Sequence, residues 1–183
     1  PVSIGHELIY EVDSTYYDDF DLIQKEKYFH FYIKEVVESY FMDDEGRQNL
    51  RIERYKRENP TDEWIIKDVW SGVLTNTTAE RFEEDERFIK LTFPIKADKQ
   101  WNGNAYNSLG QQMYSYTDVF VDSKVNDNLY DKTVVVSQAN DTSLIHRNIV
   151  KEIYAPKIGM IHKSYNVVRK AVNGDIESGS IYE

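Results

Sequence analysis

The chain has 183 residues, with 22 Lys and Arg against 32 Asp and Glu for a net charge of −10, and it has no cysteine. The last count excludes a disulfide-stapled scaffold and a thiol nucleophile, and a charge balance this acidic is the opposite of the basic footprint a nucleic-acid binder needs. With 16 Val and 16 Ile against 8 Leu and 6 Ala, and 25 aromatics (14 Tyr, 8 Phe, 3 Trp), the composition suits pleated strands and excludes a disordered chain.

At this length one core is expected, since roughly 100–200 residues make a single domain, here residues 1–183. The chain begins Pro1-Val2-Ser3, without an initiator Met or a signal stretch, so an N-terminal segment is expected to have been removed or left out of this sequence. No run approaches the roughly 20 apolar residues that a membrane-spanning helix needs.

Taken in order, Glu7–Val12 reads as the first strand. The run Leu22–Val37 fits a helix or a strand, but Tyr28-Phe29-His30-Phe31-Tyr32-Ile33 is aromatic and β-branched, which favours a strand over Tyr28–Met42. Asp43-Asp44-Glu45-Gly46 supplies a tight turn into Gln48–Lys56, and Asn59-Pro60-Thr61-Asp62 breaks the chain before Trp64–Leu74. Glu84-Asp85 turns between Phe82 and Phe88, and Ile89, Leu91, Phe93 and Ile95 then alternate with Lys90 and Thr92. From Met113 onward Thr117, Val119 and Val121 share one face, while Tyr114, Tyr116, Asp118 and Phe120 share the other, which predicts a tyrosine row on the opposite surface.

After the break at Asn126-Asp127-Asn128 comes a strand at Thr133–Gln138. Ile145, Ile149, Val150, Ile153 and Tyr154 fit a helical stripe as well as alternation, and the strand reading is preferred. Pro156 and Gly159 mark a break and re-entry before Ile158–Val168, and Asn173-Gly174-Asp175 forms the last turn. The fold class expected is all-β: a strongly curved antiparallel meander, an incomplete barrel or sandwich, with at most one or two short helices.

Candidate chemistry concentrates in one loop. Trp101-Asn102-Gly103-Asn104-Ala105-Tyr106-Asn107 offers rings that could stack on a sugar and amides that could bond its hydroxyls. The same residues also suit a self-bonded loop that plugs the core, and both readings stand at this point. The ligand-binding candidates are Trp101, Asn102, Asn104 and Tyr106, with Tyr114 and Tyr116 next. His6, His30, His146 and His162 form no paired metal motif, and the acidic clusters at Asp18-Asp19, Asp43-Asp44-Glu45 and Glu83-Glu84-Asp85-Glu86 lack calcium-loop spacing. No catalytic residue, metal or cofactor is expected from these patterns.

Several stretches together resemble an uncharacterised group of envelope lipoproteins from gut and oral Gram-negative anaerobes. They are Gly5-His6-Glu7-Leu8-Ile9-Tyr10-Glu11-Val12-Asp13, Ile52-Glu53-Arg54-Tyr55, Leu91-Thr92-Phe93-Pro94-Ile95 leading into Trp101-Asn102-Gly103-Asn104, and Tyr154-Ala155-Pro156 with Ile158-Gly159. The resemblance implies a location in the cell envelope, periplasmic or on the outer-membrane surface. It also implies that membrane attachment is only through an N-terminal lipid on a Cys that this sequence does not contain. The function it leaves open is a non-enzymatic binding or interaction module with a glycan, lipid or protein ligand and no nucleic acid. The alternative is an envelope hydrolase of glycan or peptide with carboxylates from separate strands.

Overall fold

The computed structural model describes residues 3–183, and every regular element in them is a β-strand. Pro1 and Val2, where the expectation of a removed leader begins, lie outside the described residues. The strands are β1 (Glu7–Asp18), β2 (Glu26–Met42), β3 (Gln48–Arg57), β4 (Ile65–Leu74), β5 (Thr78–Glu83), β6 (Glu86–Thr92), β7 (Gln100–Asn102), β8 (Met113–Val125), β9 (Asn128–Thr142), β10 (His146–Ala155), β11 (Gly159–Lys170) and β12 (Ile176–Tyr182). Their hydrogen-bonded order is β6-β5-β4-β3-β2-β1-β12-β11-β10-β9-β8-β7, an antiparallel meander in which first and last strands also pair. The all-β expectation holds, and the ambiguous runs at Leu22–Val37 and Ile145–Tyr154 both contain strand.

By packing, the chain forms two compact units that are discontinuous in sequence. Among the described residues the first takes 3–11 and 31–114, and the second takes 12–30 and 115–183.

In the first unit, period two puts Ile33, Glu35 and Val37 of β2 on a buried face. Register carries that face across the sheet: Val37 opposes Ile52, Glu35 opposes Arg54, and these oppose Trp70 and Asp68 of β4. The Asp43 turn forms as expected, its carboxylate accepting the N–H groups of Glu45 and Arg47 and pairing with the Arg47 side chain. Those bonds, the backbone N–H of Arg47 foremost, hold the Asp43 carboxyl down at about 2. On the opposite face of β2 and β3 a cation and ring ladder is built from cross-strand partners. Lys34 lies over both Tyr55 and Trp64, and Arg57 lies over both Trp64 and Tyr32.

In the second unit the core lies on β8–β11, with Tyr116, Val134, Val136, Val150 and Val168 buried. The tyrosine row expected on the surface is corrected here: Tyr116 is 0% exposed and, in the first unit, Tyr114 is 5%. Alternation holds from Met113 to Thr117 and puts both rings on the buried face of β8; beyond them Phe120 at φ 58° and register shifts after Tyr116, Val119 and Val121 break it. Gly179 of β12 is fixed by contact, since a Cβ there would lie 2.2 Å from the Val167 carbonyl oxygen at φ +119°.

Candidate functional site

The loop after β7 is where the sequence pointed, and the structure spends most of its chemistry internally. Trp101 is buried, donates its indole N–H to the Ile89 carbonyl at 2.8 Å, and meets Tyr114 edge to face at 6.1 Å. Gly103 permits that contact, because a Cβ there would sit 2.4 Å from the Tyr114 ring. The Asn102 amide oxygen accepts the N–H groups of Asn104 and Gln112, and the Asn104 oxygen accepts from the Asn107 amide. Asn107 also bonds the Arg87 carbonyl, which fastens the loop to β6. Of the six candidates only Tyr106 is exposed, with the Arg87 guanidinium 4.3 Å from its ring centre. Of the two readings of this loop, the self-bonded plug matches the placement of Trp101, Asn102 and Asn104.

Sequence reading missed a network of buried charge in the same unit. Glu35 accepts from Arg54 at 3.1 Å and from Arg81 at 2.9 Å, and Arg54 also reaches Asp68 at 2.9 Å. The Trp70 ring lies 3.5 Å from the Arg54 guanidinium and 5.3 Å from that of Arg81. Burial works against the charge of Arg81, but Glu35 and Glu83 outweigh it and raise its pKa. Nearby, Lys90 pairs with Glu83 at 3.0 Å. On the other face, buried Glu80 binds Arg87 at 2.7 Å and accepts the Thr78 hydroxyl. The signal was present in the alternation itself, since Ile33, Glu35 and Val37 share a buried face. An open groove of about 520 Å³ is lined by Phe41, Arg51, Asp68, Trp70, Ser71 and Phe82 among others. Its one cation, Arg51, is engaged by Glu38 and Glu53.

The second unit has a buried carboxylate of its own, Glu152, which accepts the Tyr154 hydroxyl at 2.6 Å and lies 3.5 Å from Lys163. In the turn between β9 and β10, Ser143, His146 and Asp141 stand in hydrogen-bond sequence at 2.7 and 2.8 Å, an order familiar from acyl transfer. Here Ser143 Oγ also accepts the N–H groups of Ile145 and His146 and so closes the turn, and the Asp141 side chain is 73% exposed. Among the described residues no group of His, Asp and Glu is arranged to hold a metal ion.

The most unusual surface of the second unit is its set of hairpin tips. Between β1 and β2, Phe20, Leu22 and Ile23 are 94%, 87% and 99% exposed. The neighbouring tips carry Leu144 and Ile145 (81% and 54%) between β9 and β10, and Val172 (85%) between β11 and β12. These three tips lie at one end of the unit: Asp18 pairs with Ser178, Arg169 with His146, and the Lys170 N–H bonds the Ile145 carbonyl. The order β2-β1-β12-β11-β10-β9 sets them side by side, about 10 Å from one hairpin to the next at the usual strand spacing.

The first tip is built, not loose. Asp18 accepts the N–H of Phe20, Asp21 accepts those of Ile23 and Gln24, and Lys25 and Lys27 pair with Asp19 and Asp21 at 2.7 Å each. The Lys27 pairing, with the two backbone N–H groups, holds the Asp21 carboxyl down at about 2. Behind it, burial and the Glu26 carboxylate push the Tyr17 hydroxyl up to about 12. The sequence pattern includes Leu22 and Ile23 in a run that fits a helix or a strand, and the strand it favours over Tyr28–Met42 leaves both outside, with no burial assigned. No family model, no curated protein and no solved structure matches this chain.

Proposed function

We propose that the chain is the globular part of a bacterial cell-envelope lipoprotein that works by binding, as an interaction module and not as a catalyst. One observation carries the binding half of this reading: three adjacent hairpins of the second unit hold six large apolar side chains in solvent at one end. Such a grouping costs solubility and is kept where something covers it. The ion pairs of the first unit support it from the other side, because their charges satisfy one another instead of aiming at an open cleft. The lipid anchor and the envelope location rest on the sequence resemblance.

The test is sedimentation of the purified chain with an envelope fraction from a Gram-negative anaerobe. The wild type is expected to co-sediment, the Phe20→Ser/Leu22→Ser/Ile23→Ser variant to stay in solution, and Leu129→Ser to behave as the wild type. Leu129 is also exposed but lies at the other end of β9. Equal behaviour of the wild type and the triple variant would overturn the binding reading. Mass spectrometry of the full-length native protein, finding or not finding a diacylglyceryl group, tests the anchor.

A further inference from the structure

We propose that the tips at Phe20–Ile23, Leu144–Ile145 and Val172 seat this unit on the surface of a lipid bilayer, inserting into the boundary between headgroups and acyl chains. The inference rests on the interaction reading above and names its partner.

Shape favours lipid. The apolar side chains stand on three separate convex turns, and a protein partner would need three matched hollows to cover them. A bilayer accepts each prong wherever it lands, and the binding strength follows the apolar area that enters.

The chemistry along the hairpin axis favours it too. Phe20, Leu22 and Ile23 are outermost, and Lys25 and Lys27 follow within a few residues. Next come Tyr16 and Tyr28, 43% and 71% exposed, on the flanking strands. Apolar tips backed by ammonium groups on long stems and by tyrosine rings combine the residue types that suit a membrane interface. The other two tips repeat the pattern, with Arg147 exposed behind Leu144 and Arg169 exposed near Val172.

The acids at the first tip do not oppose insertion as free charges would. Asp18 and Asp21 are occupied by backbone N–H groups, and Asp19 and Asp21 by lysines. Because the lysines are matched inside the tip, the attraction is apolar and needs no anionic lipid.

The experiment is co-sedimentation with phosphatidylcholine vesicles. Wild-type protein is expected to partition onto them, and the Phe20→Ser/Leu22→Ser/Ile23→Ser variant to lose on the order of tenfold in partitioning per side chain removed. Leu144→Ser/Val172→Ser should give a smaller loss, and Leu129→Ser none. Circular dichroism and the thermal midpoint of each variant confirm that it is folded. Wild type that stays off the vesicles, or a folded triple variant that partitions as well as wild type, overturns the proposal. If wild type ignores vesicles but sediments with the envelope fraction or self-associates, and the triple variant does neither, the partner is a protein. The lipid inference then falls while the interaction reading stands. If wild type binds neither, both fall.

Discussion

Phe20 and Glu35 belong to the same hairpin, one in its turn and one in β2, and they depart from the usual pattern of burial in opposite directions. Phe20 is almost wholly in water, while Glu35 is closed off between Arg54 and Arg81 on a buried face. In the first unit, charge is moved inside and stabilised by partners supplied from neighbouring strands. In the second, apolar side chains are moved outside and held there by short turns whose carboxylates bond the backbone. The difference separates what each exception is for. A buried ion pair is matched within the molecule and specifies how strands meet, whereas an exposed apolar side chain has no match within the molecule and points to something outside it.

The comparison breaks most visibly at Glu35. Glu35→Ala leaves Arg54 and Arg81 without their shared carboxylate, and urea unfolding is expected to show a loss of about 3–5 kcal/mol. A loss below about 1 kcal/mol would mean that water already serves those guanidinium groups.

Gly179→Ala is expected to cost about 1–3 kcal/mol in the same assay, because the new Cβ meets the fixed backbone of Val167 and the residue keeps a positive φ. It sharpens the comparison from the second unit, where the constraint is backbone contact and not charge.

Smaller still is the effect at Asp43. Its carboxyl lies below its unfolded value, so its contribution is complete above about pH 4 and is lost as pH falls toward about 2. The gap in thermal midpoint between wild type and Asp43→Asn is therefore expected to narrow from pH 5 to pH 2; a constant gap would remove Asp43 titration as its source. Smallest is the stability effect of Phe20→Ser/Leu22→Ser/Ile23→Ser, expected within about 0.5 kcal/mol of wild type, since these side chains give up little buried area.

Much of the meander was legible in the residues because period two survives where one face is buried, as at Ile33, Glu35 and Val37 of β2, whereas in β6 Ile89 and Lys90 are both buried. What the pattern lost has local causes. β1 runs on from Val12 to Asp18 through Ser14-Thr15-Tyr16-Tyr17, where no apolar alternation marks a strand and pairing to distant β12 supplies the ladder. Tyr114 and Tyr116 do share one face of β8, but both faces carry apolar residues, so alternation alone does not say which face is buried. Glu35 was legible in principle from its flanking Ile33 and Val37, but a charged residue is assigned to solvent by habit. The tips were not legible because period and propensity do not say that an apolar residue in a turn stays in solvent; the aspartates around Leu22 and Ile23 are the turn formers that could have marked it.

The most direct measurement of the lipid contact uses the absence of cysteine, which makes any introduced thiol unique. A nitroxide at Leu22→Cys and, separately, at Leu129→Cys is read by electron paramagnetic resonance for collisions with oxygen and with a water-soluble nickel chelate, with and without phosphatidylcholine vesicles. The expected result is that vesicles raise oxygen collisions and suppress nickel collisions at position 22 and leave position 129 unchanged. A label at position 22 that stays as open to nickel with vesicles as without them would contradict membrane insertion of the tips.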